Sequence, residues 1–207
     1  MTKIKLCGLT RIEDIEAANA LKPEYIGFVF TPKSRRYVDP QEAAILKRQL
    51  NSGINAVGVF VDEEPKKVAE LLDSGIIDMA QLHGSEDENY IKQLRMMTDK
   101  PIIKAFRIDR EQDFVDAQES SADYILLDSG NGGTGTAFDW QFIGESRRPY
   151  FLAGGLNPEN VKEAVERLHP YAVDVSSGIE TAKVKDIHKM EAFVYRVRGR
   201  LGKEEIE

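Results

Sequence analysis

The one cysteine of the chain, Cys7, stands in the run Lys5-Leu6-Cys7-Gly8-Leu9-Thr10. A thiol acts as a base or nucleophile in its thiolate form, and a neighbouring cation such as Lys5 favours that form. The competing role is that of a small buried hydrophobe, which is what most free cysteines are. Asp128 follows Leu126-Leu127 and precedes the glycine-rich stretch Ser129-Gly130-Asn131-Gly132-Gly133-Thr134-Gly135. A carboxyl group in a half-apolar mouth keeps its proton and can serve as an acid. An aspartate ahead of glycines can equally cap a turn. One group that accepts a proton and one that donates it are the equipment for rearranging a small substrate.

Two further stretches suit an anion. In Ala153-Gly154-Gly155-Leu156-Asn157-Pro158 the paired glycines let backbone come close to a ligand, and Asn157-Pro158 reads as the opening of a helix. Asp174-Val175-Ser176-Ser177-Gly178 offers hydroxyl and backbone donors. Arg35-Arg36 could be a solvated pair or a carboxylate reader, with one side chain expected inward and the other outward. The three histidines are His83, His169 and His188. His169 sits before Pro170 at a helix end, His188 opens the last helix, and His83 either reaches the mouth or packs in the core. One histidine without partners does not make a metal site. No G-x-G-x-x-G follows the first strand, and no phosphate-binding P-loop is present. The expectation is acid–base chemistry with no metal and no cofactor.

Eight short apolar runs must position these groups: Lys3–Cys7, Tyr25–Phe30, Ala56–Val61, Asp78–Leu82, Ile102–Phe106, Tyr124–Leu127, Tyr150–Ala153 and Ala172–Val175. They are too apolar for a sheet with one wet face and read as buried parallel strands. Helix signals lie between them. Thr10 with Glu13, and Ser85 with Glu88, have capping-box spacing, while Asp39-Pro40 and Asn157-Pro158 place a cap before a proline. Val161, Ala164, Val165 and Leu168 form one apolar stripe; Ile187, Met190, Phe193, Val194 and Val197 form another. A thinner stripe spans Gln112 to Gln118. Strand–helix alternation repeated eight times predicts a (β/α)₈ barrel over residues 1–207, a compact one, in which the strand ends carry the site. Each candidate named above lies at such an end, as do Lys104 and Arg107 on the fifth strand. A doubly wound open sheet is the alternative, and it lacks its glycine fingerprint after the first strand.

The 207 residues carry 28 Lys and Arg against 35 Asp and Glu, a net charge of −7 that disfavours nucleic acid and anionic membranes as partners. A local basic pocket for a small anion is compatible with that balance. One cysteine precludes an intramolecular disulfide framework, and no apolar run reaches membrane-spanning length. The charged tail Lys203 to Glu207 is expected to fray. The reading is a soluble cytoplasmic domain, monomer or homodimer, whose partner is a small phosphorylated molecule.

Taken in order, Lys5-Leu6-Cys7-Gly8-Leu9-Thr10, Gly27-Phe28-Val29-Phe30 with Ser34-Arg35-Arg36-Tyr37, Gln81-Leu82-His83-Gly84, Leu127-Asp128, Gly132-Gly133-Thr134-Gly135, Leu152-Ala153-Gly154-Gly155-Leu156 and Asp174-Val175-Ser176-Ser177-Gly178-Ile179-Glu180 resemble phosphoribosylanthranilate isomerases. The likeness covers nearly the whole chain. Leu6 departs from the isoleucine frequent in that family, a volume-conserving change. The resemblance implies a single (β/α)₈ barrel performing an Amadori rearrangement in tryptophan biosynthesis. It makes Cys7 the general base and Asp128 the general acid, gives the anthranilate carboxylate to Arg36, and gives the phosphate to Gly154, Gly155, Ser177 and Gly178. His83 and Asp174 would line the mouth. The histidine-pathway sugar-phosphate isomerase is similar in fold but has a carboxylate where Cys7 stands and two phosphate grips. A barrel that only binds a phosphorylated ligand would be expected to lack Cys7 or Asp128. The histidine count disfavours a metal-dependent pentose-phosphate epimerase.

Overall fold

The computed structural model describes residues 1–128 and 140–199. Eight parallel strands close into a barrel in sequence order: β1 (Lys3–Cys7), β2 (Tyr25–Val29), β3 (Asn55–Phe60), β4 (Met79–Leu82), β5 (Ile102–Arg107), β6 (Tyr124–Asp128), β7 (Tyr150–Ala153) and β8 (Ala172–Val175). β8 pairs back onto β1 with Lys5 opposite Asp174, which closes the ring. The expected strands are all present within about one residue at each end, the usual uncertainty of a boundary. A two-stranded antiparallel ribbon, β9 (Glu180–Thr181) and β10 (Val184–Lys185), follows β8.

The helices are α1 (Ile12–Leu21), α2 (Pro40–Gln49), α3 (Pro65–Asp73), α4 (Glu88–Arg95), α5 (Glu111–Gln118), α6 (Val161–Leu168) and α7 (Ile187–Arg198). Where the repeat predicts a helix after β6, the described residues show a 3₁₀ turn at Trp140–Phe142. The glycine-rich stretch at 129–135 and the charged tail lie outside the described residues.

Successive strand residues face opposite ways, so each strand serves two cores. Outward residues such as Ile4, Leu6, Ile26, Phe28, Leu82, Leu127, Leu152 and Val173 pack against the helices. Inward residues Tyr25, Val57, Met79, Ile103, Leu126, Phe151 and Ala172 fill the lower barrel. Phe151 is the hub there, with its ring centroid 5.3 Å from Tyr25 and 5.7 Å from Tyr124. Truncating such a ring costs about 3–5 kcal/mol. Above that plug the inward residues become polar, and the chemistry begins.

Asp39 caps α2 as expected, accepting from the N–H groups of Gln41 and Glu42 at 2.8 and 2.9 Å. The box expected at Thr10 and Glu13 lies one residue later: Asp14 accepts from Thr10 N and Arg11 N at 3.0 and 3.1 Å. Asp87, not Ser85, caps α4 by accepting from Tyr90 N, and Glu88 instead receives Ser121 N. Asn157-Pro158 does not open α6. Asn157 accepts from Glu159 N and Asn160 N in a turn, and the helix starts at Val161. Ile187, expected in the core, begins α7 and is 44% exposed, while the other four residues of its stripe are buried.

Candidate active site

Cys7, the last residue of β1, pairs with Gly27 on β2. A Cβ on Gly27 would lie 2.6 Å from Cys7 Sγ, so only glycine leaves room for the thiol. Two residues below, on the same face, Lys5 is fully buried, with Nζ 3.0 Å from both carboxylate oxygens of Asp174. Burial pulls the Lys5 ammonium down, but Asp174 and Cys7 more than offset this, and its pKa is raised. For Cys7 burial is the largest influence and pushes the thiol above its ordinary value, against the pull of Lys5. Thiolate is therefore not favoured in the resting protein, contrary to what the neighbouring lysine suggested. The desolvation of a buried sulfur outweighs one nearby cation that is itself paired.

Asp128 ends β6, and its Oδ2 lies 3.3 Å from His83 Nε2. His83 follows β4 and is partly exposed; its Nδ1 lies 2.7 Å from Gln81 Nε2. His83 therefore lines the mouth. The loop that carries it is held from below. Glu86 accepts from Asp62 N and Gly84 N, and Lys104 Nζ reaches Glu86 Oε2 at 3.1 Å and Gly84 O at 2.7 Å. Lys104 is thus a buried strut, not a mouth residue. Arg107, exposed at the end of β5, pairs with Asp109 and lines a smaller cavity together with His83 and Asp128.

The two arginines do not divide into one inward and one outward. Both reach Glu180: Arg36 through Nε at 2.6 Å and Nη2 at 3.0 Å, and Arg35 through Nη2. Arg36 is the more enclosed, with a side chain 22% exposed against 42% for Arg35. Burial works against the Glu180 carboxylate, but Arg36 and Lys185 outweigh it and hold its pKa below the ordinary value. Lys185 Nζ also bonds Ser176 O at 2.8 Å, and Ser176 Oγ donates to Cys7 O at 3.1 Å. A continuous polar chain thus runs from the arginines to the backbone of Cys7. Glu180, in the ribbon after β8, was not singled out from the sequence. Its signal was a carboxylate beside an expected anion loop, in a segment that also carries Lys185.

The loops after β7 and β8 meet at Gly178. A Cβ there would lie 1.9 Å from Leu156 O, so the contact requires glycine. Gly154 and Gly155 have φ of 88° and 63°, the left-handed region that suits glycine. Ser177 is exposed at the start of a 3₁₀ turn, Ser177–Ile179. Cys7, Arg36, Gln81, His83, Asp128, Gly154, Gly155, Asp174 and Ser177 all line one cavity of about 580 Å³ at the C-terminal ends of the strands. A cleft of about 650 Å³ at the opposite end, around Tyr150 and Tyr171, carries none of them. Among the described residues, no group of three or more His, Cys, Asp or Glu side chains is placed to hold a metal ion. Among the same residues, no helix is long and apolar enough to cross a membrane.

With this geometry in place the comparisons decide the family. A family model described as N-(5'phosphoribosyl)anthranilate (PRA) isomerase matches residues 4–196. The chain belongs to this family. An N-(5'-phosphoribosyl)anthranilate isomerase of Caldanaerobacter subterraneus subsp. tengcongensis is 45% identical over 205 residues, covering 96% of this chain and 99% of the relative. The crystal structure of the phosphoribosyl anthranilate isomerase from Thermotoga maritima superposes with a TM-score of 0.87 at 36% identity, covering 96% of this chain and 100% of the other. A phosphoribosyl anthranilate isomerase solved with reduced 1-(o-carboxyphenylamino)-1-deoxyribulose 5-phosphate superposes with a TM-score of 0.82 at 34% identity, covering 96% and 100%. Family membership thus agrees with the closed barrel and with the mouth to which the sequence motifs lead.

Proposed function

We propose that the protein isomerises N-(5'-phosphoribosyl)anthranilate to 1-(o-carboxyphenylamino)-1-deoxyribulose 5-phosphate, a step of tryptophan biosynthesis, and that the β-strand mouth holding Cys7 and Asp128 is where it does so. The observation that carries the reading is the meeting of a thiol, a carboxyl and the β7 and β8 loops in one cavity, in a chain of this family. Asp128 in its acid form gives a proton to the furanose oxygen as the C1'–O bond breaks, and the nitrogen lone pair forms the protonated Schiff base. That cation acidifies the C2' hydrogen. Cys7 as thiolate removes it, and the electron pair moves into the enolamine, which tautomerises to the ketone. The nitrogen is the electron sink, so side-chain acids and bases suffice.

The other roles follow from position. Gly154, Gly155, Ser177 and Gly178 take the phosphate at the β7 and β8 loops, the usual phosphate site of this fold. Arg36 takes the anthranilate carboxylate with the edge of its guanidinium not turned to Glu180; Glu180 fixes the plane of the fork. Lys5 and Asp174 make a charged floor beneath Cys7. Once the ring has opened, the Schiff-base cation adds to the pull of Lys5, and Cys7 gives its thiol proton to solvent before it takes the C2' hydrogen. The test is to generate phosphoribosylanthranilate in situ and follow the loss of its fluorescence. Consumption at catalytic protein concentrations supports the reading, and no change above the spontaneous rate ends it.

A further inference from the structure

Gln81 is 1% exposed, on β4, in register with Val59 of β3 and Ile103 of β5. Its Nε2 lies 2.7 Å from His83 Nδ1. Its Oε1 is buried and has no hydrogen-bond partner among the described residues. A buried amide with one end unpaired weakens a fold, and an apolar side chain of the same size beside Val59 and Ile103 would not. The bond to the mouth histidine is what the amide gains in exchange.

We propose that Gln81 is a positioning residue that selects the tautomer of His83 and thereby directs the proton of Asp128. This rests on the reading of Asp128 as the acid. The amide N–H donates, so Nδ1 accepts and the ring proton sits on Nε2. Nε2–H then points at Asp128 Oδ2, 3.3 Å away. The carbonyl oxygen of a carboxylic acid is the stronger acceptor for this N–H, so the arrangement favours protonated Asp128 carrying its proton on Oδ1. The opposite tautomer would offer Asp128 a lone pair at Nε2 and draw the acid proton toward the imidazole, away from substrate. In the ring-opening step the proton goes from Asp128 to the furanose oxygen, the C1'–O electron pair goes to that oxygen, and His83 keeps its own proton throughout.

The experiment pairs nitrogen-15 spectra of His83 in the full-length protein with kinetics of Gln81→Met, which keeps the volume and removes the donor. The expected wild-type spectrum has a protonated Nε2 and an unprotonated Nδ1. In Gln81→Met that preference is lost, and kcat falls about tenfold or more with KM little changed, while thermal stability is equal or higher. A wild-type His83 protonated on Nδ1 overturns the proposal, whatever the variant does. So does a folded Gln81→Met enzyme with wild-type kcat. A wild-type protein without isomerase activity would instead sink the functional reading, since the spectrum decides the tautomer by itself.

Discussion

Lys5 and Asp174 face each other across the seam where β8 closes onto β1, with Nζ 3.0 Å from both carboxylate oxygens, two residues below Cys7. The pair is buried, so its attraction is weakly screened and the desolvation it suffers is large. It places a cation under the sulfur without leaving that cation unpaired.

This arrangement fixes a pH dependence. Burial holds the Cys7 thiol above its ordinary pKa while Lys5 pulls it down. kcat/KM should therefore rise with pH, with an inflection above that of an ordinary thiol. Lys5→Met should move the inflection further up. The folded protein binds the Cys7 proton more tightly than the unfolded chain does. Its contribution to stability is thus present below the ordinary thiol pKa and fades as pH rises through the raised value. A pH–rate profile and the pH dependence of iodoacetamide alkylation read both effects, and a thiol that alkylates fastest below its ordinary range would contradict them.

Cys7→Ala and Asp128→Asn should each lower kcat by about 10²-fold or more, with little change in substrate affinity. Cys7→Ser should not restore the rate, since a hydroxyl is much less acidic than a thiol. Steady-state kinetics on variants with native circular dichroism make the comparison. Near wild-type kcat in a folded Cys7→Ala protein ends the assignment of the base.

Arg36→Ala should raise KM more than Arg35→Ala. Losing a charge-assisted bidentate contact is worth about 1.5–3 kcal/mol, which corresponds to roughly a tenfold to hundredfold change. Glu180→Gln should raise KM by a smaller factor, because the guanidinium stays but loses its fixed plane. Small and equal effects of all three replacements on KM would remove the anchoring role.

Gly178→Ala puts a methyl group against the carbonyl of Leu156 and must push the β7 and β8 loops apart. We expect a loss of about 1–3 kcal/mol in stability and weaker competitive inhibition by inorganic phosphate. Chemical denaturation and inhibition constants measure the two. Unchanged phosphate inhibition in a folded variant would locate the phosphate elsewhere.

Full chelation should leave the rate of phosphoribosylanthranilate consumption unchanged, because the nitrogen cation of the substrate supplies the electron sink. Activity lost to chelator and restored by a divalent ion would refute the acid–base mechanism.

The order of apolar runs determined the eight strands, because a buried parallel strand is recognised by local hydrophobicity alone. The same pattern located the mouth, since every strand end in a barrel of this hand points one way. Caps were less legible. Asp39-Pro40 and Asn157-Pro158 look alike in sequence, yet one opens a helix and the other a turn that precedes one, because the hydrogen-bond partner a few residues on decides. Only the closed barrel brings Asp174 onto Lys5, residues 169 apart in the chain, and Glu180 onto Arg36, 144 apart. Those contacts set which arginine is enclosed, keep Lys5 charged in the interior, and let burial win over the cation at Cys7. Local sequence records which residues are present at each strand end. Which charges meet there, and how far water is excluded from them, is settled by closure of the sheet and the packing of its loops.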